Sequence, residues 1–142
     1  MKTQEFLREI PELLRSQLPL ALQDFHTLGP MGSLIKFHYG DSHIHYEVWI
    51  QRRTRQVEVG LHFESDPATN SVYLENMSQH FTDLYPLLGP GVEPEQWTQS
   101  WTRIHETMPL ETLKEDFLLE VTAHLSRLIR VCLLYTSPSP RD

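Results

Sequence analysis

The chain has 142 residues, 39% of them hydrophobic and 22% charged, with one cysteine and a formal net charge of −7 at pH 7. That length suits one domain with its own core and is too short for two. The acidic balance disfavours phosphate backbones as partners, and a lone cysteine supports neither a disulfide framework nor a thiolate zinc site. Met1-Lys2-Thr3-Gln4-Glu5-Phe6-Leu7-Arg8-Glu9 places charges where a signal peptide needs its apolar core. No run approaches the roughly 20 apolar residues that span a bilayer, so a soluble cytoplasmic chain without a membrane partner is expected.

Phe6, Ile10, Leu13, Leu14, Leu18, Leu22 and Phe25 recur at steps of three and four, which predicts a helix from Thr3 to about Phe25 with a kink or break near Pro19. Gly29-Pro30-Met31-Gly32 then reads as a turn. Leu34 to Tyr39 supplies one strand. Ile44, Tyr46, Val48 and Ile50 alternate with His45, Glu47, Trp49 and Gln51 in a second. Val57, Val59, Leu61 and Phe63 alternate with Glu58, Gly60, His62 and Glu64 in a third. Arg52-Arg53-Thr54-Arg55 between the last two is expected to be a short hairpin turn with Arg52 facing Arg55.

Asp66-Pro67 is a helix-start signal, and Tyr73, Met77, Phe81, Leu84 and Leu88 follow at helical spacing up to Gly89-Pro90-Gly91. Val92 to Glu106 suits one or two short strands. After Pro109, the residues Leu110, Leu113, Phe117, Val121, Leu125 and Leu128 return to helical spacing. The expected fold is α+β, in the order α-β-β-β-α-β(-β)-α: an antiparallel sheet, a three-strand meander plus one or two short strands, whose Val57/Val59/Leu61/Phe63 face is covered by helices. The segment from Cys132 to Asp142 resembles the translation of a transposase adaptor used for DNA sequencing libraries. One domain over residues 1–131 is therefore expected, with an artefactual tail over 132–142 that packing does not constrain.

Tyr46-Glu47-Val48-Trp49, the run Val57 to Glu64, Leu88-Gly89 and Val92-Glu93…Trp97…Arg103-Ile104 resemble an uncharacterised bacterial domain of unknown function. That domain sometimes occurs behind nuclease-like domains in restriction or defence proteins. The resemblance covers roughly residues 35–105, and its motifs set shape; the family defines no functional residues to carry over. The order of elements also resembles the core of restriction-type nucleases, with Asp41 and Glu58 as candidate acids, but Gly60 stands where their lysine would be. His45-Tyr46-Glu47 echoes the His-x-Glu of zinc deaminases without their Pro-Cys-x-x-Cys. No serine carries the flanking glycines of a nucleophile elbow, and Gly29-Pro30-Met31-Gly32 lacks the Lys-Ser/Thr of a phosphate loop.

Three sites remain. Arg52, Arg53 and Arg55 with Trp49 could contact phosphate and stack on a base, although a solvated turn is the expected use in an acidic chain. Trp97 and Trp101 are expected to anchor a short strand to the core. On the polar face of the hairpin, His45 falls opposite His62, with Glu47 and Glu64 one pleat away and His43 just beyond. Two imidazoles and carboxylates there could share a Zn²⁺ or Mn²⁺, with Glu47 or Glu58 as the general base of a metal-dependent hydrolase. The competing expectation is a solvated sheet face with no cofactor. Taken together, the sequence favours a non-enzymatic interaction or accessory module, working with a protein partner or as a homodimer. A metal hydrolase or degenerate nuclease and a nucleic-acid binder stand as alternatives.

Overall fold

A computed structural model describes residues 1–96 and 101–136 of the chain. Helix α1 covers Thr3–Gln17 and buries Phe6, Ile10 and Leu14 of the predicted stripe together with Leu7, which the spacing did not include, while Leu13 is half-buried. It passes through Pro11 and stops short of Pro19. Leu18, at φ −94° and ψ 147°, is extended, the conformation forced on a residue that precedes proline. One 3-10 turn at Leu20–Leu22 replaces the last helical turns expected up to Phe25.

The stretch read as a turn is largely strand. Strand β1, His26–Met31, pairs antiparallel with β2, Leu34–His38, and the register shifts between Leu28 and Met31. Gly29, at φ +97°, sits in that irregularity, so Gly29 and Pro30 mark a bulge in an edge strand while the connection moves on to Gly32, at φ +57°. Strands β3, Ile44–Gln51, and β4, Gln56–Phe63, form the predicted hairpin, with Gln51 opposite Gln56 and the turn between them. A further pair follows, β5 at Glu93–Gln96 and β6 at Thr102–Pro109. The sheet order is β1-β2-β3-β4-β6-β5, antiparallel throughout, with β4 inside.

The helix predicted after Asp66 is two, α2 at Pro67–Gln79 and α3 at Phe81–Leu88, meeting at His80. Asp66 caps the first as expected, its Oδ1 accepting the Thr69 N–H at 2.9 Å. Helix α4 runs Glu115–Thr136. Cys132 within it is fully buried in the core, so packing continues past Val131, where the sequence reading ended it. The described residues thus form an α+β fold of four helices and six strands, and none of the helices among them is long and apolar enough to cross a membrane.

Cross-strand pairing sorts the side chains onto two faces. Val57, Val59, Leu61 and Phe63 share a face with Tyr46, Val48, Ile50, Ile104 and Met108. Helices α1 and α4, in contact through Phe6 and Phe117 with ring centroids 5.8 Å apart, complete the core against it. Leu61, fully buried between its partners Tyr46 and Ile104, lies at the centre of this packing. Leu61→Ala is expected to lower the unfolding free energy by about 2–5 kcal/mol. Urea titration followed by circular dichroism checks this, and a loss below about 1 kcal/mol would contradict a core centred on β4.

Candidate metal centre

The opposite face was expected to be wet, and its centre is buried. On it His62 lies between His45 and Arg103, Gly60 between Glu47 and His105, and Glu58 between Trp49 and Thr107. His45, Glu47, Glu58 and His62 are only 1%, 4%, 0% and 0% exposed, so the solvated His/Glu face anticipated from sequence is corrected to a buried polar layer. The predicted ligand set does come together: His45, Glu47, His62 and Glu64 each offer a donor atom, all within 4.8 Å of one another. His45 Nε2 is 3.3 Å from Glu47 Oε1 and 3.7 Å from Glu64 Oε1. His62 lies 3.1 Å from Glu64 Oε2 through Nδ1 and 3.6 Å from Glu47 Oε2 through Nε2. The two imidazoles stack, with centroids 5.6 Å apart and planes 8° apart. His43 stays outside, exposed and paired with Asp41 at 2.9 Å.

Gly60 makes this approach possible. A Cβ there would meet His105 Cβ at 3.0 Å and His62 Nε2 at 3.2 Å, so the missing side chain is the space in which the imidazoles gather. Supporting groups hold the donors in turn. The Ser42 carbonyl is 3.1 Å from His45 Nδ1, and Glu58 Oε2 is 3.2 Å from His62 Nε2. Glu58 Oε1 accepts from the Arg103 guanidinium at 2.6 Å, and Arg103 also donates to Glu95 Oε1 at 2.7 Å. Such partners orient ligands and fix their tautomers.

Electrostatics follow from this crowding. Burial alone would lower the His62 pKa, but hydrogen bonds to Glu58 and Glu64 and the charge of Glu47 outweigh it and push the imidazole up to about 9. Burial works to raise Glu58 and Glu64, yet the His62 hydrogen bond and neighbouring positive charge hold both below the usual carboxylate range. His105 moves the other way: burial, reinforced by Arg103, lowers it.

Arg103, His105 and Glu95 were not anticipated as site residues. They lie on β5 and β6, and β6 meets β4 only through the fold, across 45 residues in the case of Arg103 and Glu58. The alternation of Arg103 and His105 along one strand was the only signal available. Of the other sequence candidates, Arg52 donates twice to Thr3 Oγ1, at 3.1 and 2.7 Å, which ties it back to the start of α1. Arg53 and Arg55 are exposed, and Trp49 is half-buried opposite Glu58. Trp101 is 39% exposed, which corrects its expected role as a core anchor, and Trp97 lies outside the described residues. Asp41 sits in the turn before β3, whereas Glu58 pairs with Trp49 in the far half of that strand, so the two acids of the nuclease reading do not share a site. Compared with known proteins, the chain matches no family model, no curated protein and no solved structure.

The pH dependence of the metal-free protein follows in sign. His62 has a raised pKa in the folded state, so its stabilisation is complete below about pH 6.5 and disappears as pH climbs through about 9, on the order of 3 kcal/mol in all. Glu58 and Glu64, with lowered pKa values, stabilise above the ordinary carboxylate range and lose that contribution as pH falls through their folded-state values. Urea midpoints of chelator-treated protein are therefore expected to fall between pH 6.5 and 9, with His62→Gln flattening that limb. An unchanged slope in His62→Gln would show that another group titrates there.

Proposed function

We propose that this protein is a non-enzymatic accessory module, acting in the cytoplasm, that binds one divalent transition metal, Zn²⁺ or Mn²⁺, through His45, Glu47, His62 and Glu64. The observation that carries the reading is the spacing of the donors. Four ligands at the 2.0–2.1 Å usual for nitrogen and oxygen on zinc stand about 3.3–3.4 Å apart along the edges of a tetrahedron. Here one donor atom from each of the four residues lies within 4.8 Å of the others, and the closest imidazole–carboxylate approaches, which run through both ring nitrogens of His62 and both oxygens of each glutamate, are 3.1, 3.3, 3.6 and 3.7 Å. A set of two imidazole nitrogens and two carboxylate oxygens favours zinc over the octahedral oxygen environment preferred by manganese.

Charge supports the same reading. Glu58 has a guanidinium as well as imidazoles within ion-pair distance, but Glu47 and Glu64 have only imidazoles within 4.0 Å among the described residues. Buried carboxylates need a compensating charge, and a divalent ion supplies it while freeing both imidazoles to bind in their neutral form. The burial of the donors argues against a hydrolase. Their side chains are 2%, 5%, 0% and 13% exposed, and four protein ligands leave no vacant position for substrate, the pattern of a structural site. A metal held in this way acts by fixing the sheet, and a protein partner or a second copy of the chain would read that state.

Isothermal titration of Zn²⁺ into chelator-treated protein is expected to show a dissociation constant tighter than about 100 µM. That event should disappear in the His45→Ala, His62→Ala double variant and weaken in Glu64→Gln, whose side chain lies at the rim. Binding weaker than this, or unchanged in both variants, would remove the proposal.

A further inference from the structure

We propose a second, more open divalent-cation site on the same sheet face, formed by Glu93, Glu95 and His105. It shares no ligand with the centre described above and does not depend on it. Glu93 and Glu95 alternate on one face of the edge strand β5, and His105 is directly opposite Glu93 on β6. Each of the three offers a donor atom within 4.8 Å of the other two.

The independent sign is the state of His105. It is 7% exposed, and neither ring nitrogen has a hydrogen-bond partner among the described residues. The nearest carboxylate oxygens, Glu58 Oε1 at 3.7 Å from Nδ1 and Glu95 Oε2 at 3.6 Å from Nε2, stand beyond hydrogen-bond reach. A buried imidazole with both nitrogens unsatisfied is costly, and 3.6 Å is close to the separation of two ligands on one metal ion.

Glu95 divides its oxygens accordingly. Oε1 accepts from Arg103 at 2.7 Å, and Oε2 is left facing His105. Arg103 therefore works as an orienting partner of the carboxylate, and its single charge is shared between Glu58 and Glu95. Glu93 adds a second carboxylate opposite His105, and a divalent cation would compensate it together with Glu95 Oε2. The site differs from its neighbour in exposure: Glu93 is exposed and the Glu95 side chain is 38% exposed. Three protein ligands on an open edge leave coordination positions for water or for an oxygen or nitrogen donor from outside, so this ion exchanges faster and binds more weakly than the enclosed one.

The test is a Zn²⁺ titration of the full chain, with stoichiometry read by calorimetry and fold by circular dichroism. The wild type is expected to take up two Zn²⁺ in two saturable events. His105→Gln should lose the weaker event, and the His45→Ala, His62→Ala variant should keep it. Because His105 is interior, the surface pair Glu93→Gln, Glu95→Gln provides the same loss in a chain whose core is untouched. Uptake of a single Zn²⁺ that disappears with His45 and His62 but survives in the Glu93/Glu95 variant would overturn this second site alone. A single Zn²⁺ that disappears in the Glu93/Glu95 variant and survives without His45 and His62 would support it while removing the first centre.

Discussion

Pairing of Ile44 with Phe63 at one end of the central hairpin and of Gln51 with Gln56 at the other fixes which side chains share a face. In that register Tyr46, Val48, Ile50, Val57, Val59, Leu61 and Phe63 turn towards the helices, while His45 meets His62 and Glu47 meets Gly60 on the other side. A slip of one residue would send each of these to the opposite face, exchanging core for charge. The buried apolar face therefore holds the polar layer in place: the free energy that packs α1 and α4 against the sheet also forces two imidazoles and several carboxylates together. Strand β6 then adds Arg103 and His105 to the layer from across the fold.

Such a layer is costly unless its charges are matched. Arg103 matches Glu58 and Glu95 through hydrogen bonds at 2.6 and 2.7 Å. Glu47 and Glu64 are matched by imidazole alone within ion-pair distance among the described residues, and in the metal-free protein His62 carries the proton, with its pKa pushed up to about 9. A proton or a bound metal ion would each meet this demand, and the two would compete for the same nitrogens. Gly60, the position at which a nuclease-type site would need lysine, is the gap that lets the imidazoles approach. The feature that weakens one reading of the sequence is what builds the other.

Much of the fold was legible because periodicity reports burial directly. The stripe from Phe6 to Leu14, the alternation in β3 and β4, the Asp66 cap and the arginine hairpin turn all follow from local chemistry, and hairpin register alone was enough to bring His45, Glu47, His62 and Glu64 together. Strand β1 was missed because Gly29 and Pro30 signal a turn and a bulge with the same residues. The break between α2 and α3 at His80 has no strong local marker, and the apolar spacing runs on through it. The burial of the polar face was also hidden, because alternation of apolar and charged residues ordinarily means one wet face. Arg103, His105 and Glu95 needed the pairing of β4 with β6 and of β6 with β5, which sequence separation conceals.

The central claim is that the His/Glu layer is a metal-binding site, and X-ray absorption at the zinc edge tests it most directly on the full chain loaded with one equivalent of Zn²⁺. The account expects a first coordination sphere of nitrogen and oxygen at about 2.0–2.1 Å, with the outer-sphere scattering of two imidazoles and no sulfur. A spectrum without imidazole scattering, or one with a sulfur ligand at about 2.3 Å from Cys132, would contradict it.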